Sequence, residues 1–334
     1  MGVRYLNKFF REECKNCDAI KIISMNQLNG KKIAVDISIY LYKFASENTL
    51  IENIYLMISI FRHYNIIPLF VFDGKPPAEK KELLQHRLAE KKIAEKEFNT
   101  LKTNLEYNSN MNEHEKHEIL NKMDLLKKKF IYISKSQIDE IKNLIIACGM
   151  TYCDAPNEAD ELCAMLTVKG IVWGCLSEDM DMFIYGCPRV LRYLSLLNHT
   201  FVLYDTKKIL NKLEMNQYDL SEICVISGTD YNFSNQQREY NLFTTLKYFN
   251  KYKKINKNAE IKKEYYGFYN WLLENTNYIE SYENEVYKMN LSMFCLKDNE
   301  YLKEFENIKI ANKNKIISDV KELLKPDGFI FVNH

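Results

Sequence analysis

Three short apolar runs in this chain each stop at an acid, and that recurrence constrains the fold more than any bulk property. Residues 33–38 read IAVDIS, with Asp36 near the carboxyl end, and residues 68–74 read PLFVFDG, closed by Asp73. The run Ile171 to Leu176 is followed at once by Ser177-Glu178-Asp179-Met180-Asp181. Runs of this length and composition read as buried strands. Between the first two, Leu50 to Tyr64 carries Ile54, Ile58 and Phe61 at helical core spacing. Strands alternating with helices predict an α/β fold with a mainly parallel, twisted sheet flanked by helices. Ligands of such sheets gather outside the carboxyl ends of the strands, which is where these acids fall. Taken alone, Glu178 to Asp181 reads as a solvated acidic loop; two further strand-terminal acids point to a shared edge.

The remaining segments fill in around that edge. From Ala78 to Lys129 the chain is highly charged, with Leu84, Leu88, Phe98 and Leu105 scattered among Lys and Glu. Asn104 to Asn112 reads as a turn between two helices, so an exposed helical pair standing off the core like an arch is expected. Ser136 is expected to cap an amphipathic helix carrying Ile138, Ile141, Leu144, Ile145 and Cys148, with Gly149 at its end. A strand MTYCDA follows, and Pro156 opens a helix with Glu158 and Asp160 in its first turn. Either acid alone would merely complement the helix dipole. VLRYLSL and TFVLYD predict a hairpin at the sheet edge, and a helix from about Tyr218 to Ile226 leads to Gly228-Thr229-Asp230-Tyr231. Helical patterns continue to about Leu273, and a last helix is expected over Lys313 to Leu324.

Composition excludes several classes. With 46% hydrophobic and 27% charged residues and a net charge of +1, the chain reads as an ordinary soluble globular protein. Any nucleic-acid surface must therefore be local. MGVRYLNKFFREE has charges where a signal peptide needs an apolar core, and Ile54 to Phe61 is too short to cross a bilayer. Nine cysteines are then expected as reduced intracellular thiols. Nucleus and cytoplasm stay open, and the A/T-biased composition also suits a cytoplasmic viral replication site. Cys14 and Cys17 form a lone C-x-x-C, a poor zinc site, and His114 and His117 read as a solvated helix face.

Seven acids fall at strand or helix ends: Asp36, Asp73, Glu158, Asp160, Asp179, Asp181 and Asp230. Gathered at one edge they would repel one another unless divalent cations sat among them. All-oxygen ligation suits Mg²⁺, with Mn²⁺ as an alternative. Two such ions roughly 3.5–4 Å apart would serve phosphodiester hydrolysis. Lys80 and Arg87 lie seven residues apart, about two helical turns, and so project from one face. Beside the metals they could steady a scissile phosphate.

These segments resemble the flap endonuclease, or XPG-like, family of structure-specific 5′ nucleases. The resemblance rests on MGVRYL, KIAVDISIYLYKF, PLFVFDGKPPAEKKELLQHR, MTYCDAPNEADELCAML, LSEDMDMFIYG and ISGTDY, in order from Met1 to Tyr231. It implies a PIN-like 5′-nuclease fold with a helical arch at about 78–135 and a helix–two-turn–helix at about 228–255. These would belong to a nuclease core spanning 1–255, followed by a helical C-terminal region at 256–334. Asp36, Asp73, Glu158 and Asp160 would serve one metal, and Asp179, Asp181 and Asp230 the other. Lys80 and Arg87 match the basic pair on the scissile phosphate, with Asp181 beside them in catalysis. Tyr42 matches a base-stacking aromatic, while Gly2 and Lys75 fall near the substrate.

Three departures stand out. Asp160 replaces the family's Glu, so its shorter side chain is expected to reach metal through water. NFSNQQREYNLFTTLKYF lacks the glycines of the duplex-binding turn, leaving Lys247, Lys251, Lys253 and Lys254 as a substitute. No sliding-clamp motif stands before His334, so clamp binding is not expected. The resulting expectation is a two-metal 5′ endonuclease or exonuclease acting on DNA with 5′ flaps, nicks, gaps or branched junctions, in replication, repair or recombination. Alternatives are a nuclease for recombination junctions or double-strand ends, a catalytically silent DNA-bridging scaffold, and a PIN-type ribonuclease.

Overall fold

The computed structural model describes residues 2–107, 112–231, 241–258, 267–279, 284–296 and 300–331. In chain order the elements are α1 (Leu6–Glu13), β1 (Ile20–Ser24), β2 (Lys32–Asp36), α2 (Ser38–Ser46), α3 (Leu50–His63) and β3 (Ile67–Phe72). Then come α4 (Lys81–Tyr107), α5 (Glu113–Lys127), α6 (Lys135–Ala147), β4 (Thr151–Asp154), α7 (Ala159–Val168), β5 (Gly174–Leu176) and α8 (Asp181–Ile184). The hairpin strands β6 (Arg189–Ser195) and β7 (Thr200–Asp205) follow, then α9 (Thr206–Leu213), α10 (Gln217–Ser227), α11 (Leu242–Asn258), α12 (Phe268–Asn275), α13 (Asn284–Ser292) and α14 (Ile317–Leu324). Among the described residues no helix is long and apolar enough to cross a membrane.

The chain separates into two compact units that interleave in sequence. The first comprises Met1–Ile37, Ile60–Pro77 and Thr151–Asn312. It holds a seven-stranded sheet in the order β1-β7-β6-β5-β2-β3-β4. The pairs from β6 to β4 are parallel, whereas β6/β7 and β7/β1 are antiparallel. Strands β2 and β3 are buried along nearly their whole length, as expected of central parallel strands covered on both faces. The chain moves from β2 outward to β3 and β4, then returns to β5 on the other side of β2. The crevice of such a sheet lies at that reversal, between β2 and β5.

The α/β class and the mainly parallel sheet agree with expectation, and three local readings are corrected. The hairpin β6/β7 is not the edge: β1 pairs outside β7, Ile20 opposite Tyr204. Its sequence IKIIS presents several exposed positions, so it carries no buried-strand signature. β5 has three residues rather than six. The helix expected from Ser136 is capped by Ser134, whose side chain accepts from Gln137 N while Gln137 returns to Ser134 N.

The second unit comprises Ser38–Ser59, Ala78–Met150 and Lys313–His334. α4, with 27 residues, is about 40 Å long. It runs beside α5, and of its side chains Leu83 and Ala94 are buried. Lys122 pairs with Glu97 across the two helices at 2.6 Å. This is the polar helical pair the sequence predicts; residues 108–111 of the expected turn lie outside the described residues. α14 packs on α6, and Gly149 receives Lys313 N on its carbonyl at 2.7 Å. A Cβ at Gly149, where φ is +73°, would fall 2.3 Å from the Lys313 carbonyl oxygen.

Candidate active site

The sequence Ser177-Glu-Asp-Met-Asp folds as two successive side-chain-closed turns. Ser177 Oγ accepts from Asp179 N at 3.1 Å, and Asp179 Oδ1 accepts from Asp181 N at 3.0 Å. Each is the i to i+2 bond that Ser and Asp favour after a strand. The Ser177 hydroxyl also donates to Asp36 Oδ2 at 2.8 Å, tying the ends of the adjacent strands β2 and β5 together. Asp36, Asp179 and Asp181 are all buried, Asp181 to 1% exposure.

The first turn of α7 supplies more acids. Asp73 Oδ1 accepts from Ala159 N, the first residue of α7, at 2.8 Å. Gly74 brings that contact about: its N–H bonds Asn157 O at 2.6 Å, and a Cβ there would lie 1.9 Å from Ala155 O. Glu158, at the α7 N-cap, accepts from the Tyr231 hydroxyl at 3.3 Å, which links it to the turn carrying Asp230. Asp160 and Glu161 part company. Glu161 takes the Tyr301 hydroxyl at 2.5 Å, while one oxygen each of Asp160, Asp179 and Asp181 lies within 4.8 Å of the others.

Two carboxylates 4.8 Å apart repel by roughly 3–4 kcal/mol at an effective dielectric of 20, so three buried together need protons or a cation. The donors are all hard oxygens, with no thiol or imidazole among them. That chemistry fits Mg²⁺ or Mn²⁺. Backbone also crowds the cluster: Gly2 has φ +77°, and a Cβ there would stand 2.4 Å from Asp181 Oδ1 and 2.8 Å from Asp179 Oδ1. Grouping Asp160 with Asp179 and Asp181 crosses the two-metal division implied by the resemblance. Burial, with Asp160, Glu161 and Asp181 adding repulsion, holds the neighbouring Tyr185 phenol well above its ordinary pKa.

Glu178, amid these acids, faces Arg192 on β6. Arg192 Nε lies 3.4 Å from Glu178 Oε2, and Arg192 Nη2 donates to the Glu178 carbonyl at 2.9 Å. Sequence reading missed both Ser177 and Arg192. The available signal was an arginine inside the apolar run VLRYL.

Of the basic candidates, Lys80 and Arg87 belong to the second unit. Lys80 is buried at the end of a short 3₁₀ turn, Ala78–Lys80, and Arg87 follows on α4. One turn further, Lys91 was not foreseen. Its ammonium lies 4.9 Å from the Tyr42 ring centroid and 5.4 Å from that of Tyr132, and donates to Ile131 O at 3.0 Å. Burial lowers its pKa. Tyr42 is 47% exposed.

In the first unit Lys75 is exposed, and its N–H reaches Pro156 O at 3.4 Å. Lys247, Lys251 and Lys254 are exposed on α11. Lys253 instead bonds Leu213 O at 3.1 Å and pairs with Glu214 at 3.3 Å. Residues 232–240 of the glycine-free stretch lie outside the described residues.

Comparison with known proteins identifies the family and the fold. The XPG N-terminal domain matches residues 1–94 and the XPG I-region residues 149–230, together more than half of the chain. Flap endonuclease 1 of Candida tropicalis is 32% identical over 251 residues, covering 69% of this chain and 63% of the relative. The chain thus spans less than two thirds of that relative's length. Among solved structures, the catalytic core of Rad2 in complex with DNA substrate aligns with TM-score 0.65 at 18% identity, over 97% of this chain and 94% of that one. The Holliday junction-resolving enzyme GEN1, in complex with product DNA and Mg²⁺, aligns with TM-score 0.55 at 17% identity, over 96% and 72%. At such identities these two likenesses concern the fold. By its family regions and its relatives, the chain belongs to the XPG and flap endonuclease family of structure-specific nucleases.

Proposed function

We propose that the protein hydrolyses DNA phosphodiesters next to a junction between a 5′ single-stranded arm and duplex, using divalent cations. The observation that carries this reading is the convergence of Asp160, Asp179 and Asp181, tied through Ser177 to Asp36, in a chain with both XPG regions. Cations bound there would supply Lewis-acid charge that lowers the pKa of a coordinated water and offsets charge on the phosphate. Asp160, Asp179 and Asp181 would hold the cations. Asp36, Asp73, Glu158 and Asp230 complete the acidic shell from its borders. Ser177 and Ala159 N keep Asp36 and Asp73 oriented. Lys80 and Arg87 steady the scissile phosphate, and Tyr42 offers its half-exposed ring to an unpaired base. Gly2, without a Cβ, lets its backbone lie against Asp179 and Asp181 close to the substrate, while Lys75, Lys247 and Lys251 follow the duplex backbone. The setting is intracellular, in keeping with nine cysteines that form no disulfide.

The test is cleavage of a labelled 5′-flap DNA in Mg²⁺ by the wild type, Asp73→Ala and Asp181→Ala. Cleavage by the wild type alone supports the site; equal activity in all three proteins removes it. A second reading, resolution of branched recombination junctions, is favoured by the fold likeness to GEN1, whose structure holds product DNA. Rates on flap, nicked, gapped and four-way substrates, measured side by side, decide between the two.

A further inference from the structure

Arg192 is an arginine on β6 with 5% exposure, and it bonds both the acid-bearing loop and α1. Its Nε and Nη2 grip Glu178, through the carboxylate and the backbone carbonyl, one residue before Asp179. Its Nη1 donates to Asn7 Oδ1 on α1 at 2.9 Å and lies 2.8 Å from Met180 Sδ. Asn7 in turn receives the Tyr204 hydroxyl at 2.7 Å and donates to the Tyr193 hydroxyl at 2.8 Å. The guanidinium also stacks over the rings of Tyr193 and Tyr204.

The strand is deformed to permit this. The pairing of β6 with β7 slips between Arg192 and Ser195, and Tyr193 takes φ +53°. That turns Tyr193 N toward Glu178 Oε1, at 2.5 Å. Bulges of this kind re-aim side chains beside functional sites. Arg192 thereby joins two segments that meet at the acids. One is the loop of Asp179 and Asp181. The other is α1, whose Asn7 lies five residues after the Gly2 backbone that abuts both carboxylates.

Resting on the metal-site reading above, we propose that Arg192 is a positioning residue that locks the Asp179–Asp181 loop and the N-terminal segment into the arrangement that binds divalent cation. Arg192 itself touches neither cation nor substrate. A lysine cannot replace it, because one ammonium cannot reach Asn7, the Glu178 carboxylate and the Glu178 backbone carbonyl as a planar fork does. Partners that orient metal-binding carboxylates are commonly worth about 10–100-fold in metal affinity.

The experiment titrates Mn²⁺ into the full chain without DNA, read by electron paramagnetic resonance, alongside thermal unfolding. Proteins compared are the wild type, Arg192→Met, Arg192→Lys, Glu178→Gln and Asn7→Ala. Expected is Mn²⁺ binding about 10–100-fold weaker in Arg192→Met, a smaller loss in Asn7→Ala, and no added loss when the two are combined. On flap DNA, kcat falls with KM unchanged. A folded Arg192→Met with wild-type Mn²⁺ affinity overturns the proposal while leaving the nuclease reading intact. If Arg192→Met does not fold, wild-type affinity in both Arg192→Lys and Glu178→Gln overturns it. A wild type that binds no Mn²⁺ removes the metal site itself, and this proposal with it.

Discussion

The acid-bearing loop and the α4/α5 helical pair are both dense in charge, yet they handle it in opposite ways. At residues 177–181 the carboxylates are buried, closed into turns by backbone N–H groups, and backed by a buried arginine. On α4 and α5 the charges sit in solvent, as in the Lys122–Glu97 pair, with side chains 56% and 44% exposed. Burial raises the energetic stake of each charge, because an unpaired group in a low dielectric is costly. A solvated pair contributes little and constrains little. The loop is therefore built to hold a fixed geometry, while exposed pairs on the helical pair constrain their side chains little.

The comparison breaks most visibly under Asp181→Asn set against Arg87→Ala. Asp181→Asn is expected to lose Mn²⁺ binding and to bring turnover to background. Arg87→Ala is expected to bind Mn²⁺ as the wild type does, with kcat lower by about 10²–10³-fold, the usual consequence of losing one electrostatic contact to a transition state. Metal titration and single-turnover cleavage on the same preparations check both. Loss of metal binding in Arg87→Ala would show that the two regions do not divide the work this way.

A further buried acid in the first unit is Glu222 of α10, 1% exposed. Its carboxylate accepts from Phe268 N at 2.9 Å, Tyr269 N at 3.4 Å and the Tyr287 hydroxyl at 2.9 Å, pinning α12 and α13. Burial nevertheless dominates, and raises its pKa to about 7. The folded state thus keeps a proton that the unfolded chain releases near the ordinary carboxyl value. The associated stability is fully present below that value and is lost as pH rises through about 7, a total of about 3 kcal/mol. Glu222→Gln should remove this slope and match or exceed wild-type stability at pH 7.5. Urea unfolding of both proteins from pH 5 to 7.5 checks it, and parallel curves would contradict it.

Much of this was legible in the sequence, for identifiable reasons. Buried parallel strands leave continuous apolar runs, so β2 and β3 announce themselves, and the acids that end them follow by position. The polar pattern of α4 and α5 likewise reads directly as exposed helix. What stayed hidden depends on convergence. β1 is an edge strand with a half-exposed face, so no run of apolar residues marks it. Asp160 joins Asp179 and Asp181 only because α7 starts beside the loop after β5, which no spacing encodes. Arg192, Asn7 and Glu222 are single polar residues, and what they bind lies up to 197 residues away.

Gly2→Ala probes the acid cluster with one methyl group. The added Cβ would meet Asp181 Oδ1 at 2.4 Å, at a φ of +77°. Because Gly2 lies outside α1 and the sheet, the backbone there can shift without breaking either, so the unfolding midpoint should move little. Turnover should fall about 10–100-fold, since displacements near 1 Å beside a reacting centre have effects of that size. A parallel fall in stability and turnover would instead make Gly2 a packing residue.

The smallest effect is expected from Lys122→Ala. Although the Lys122–Glu97 distance is short, both side chains are largely in water, and such pairs contribute about 0–1 kcal/mol, less as salt rises. Urea unfolding should shift by no more than about 0.5 kcal/mol at low salt, with no difference at 0.5 M NaCl. Phe98 on α4 also packs edge-to-face on Phe130, which follows α5, with centroids 5.4 Å apart. Phe98→Ala should therefore exceed Lys122→Ala in cost and be insensitive to salt, because ring packing and apolar burial are not screened by ions. The reverse order would mean that charge organises the helical pair as it organises the acid loop, and the contrast between the two regions would then be one of exposure alone.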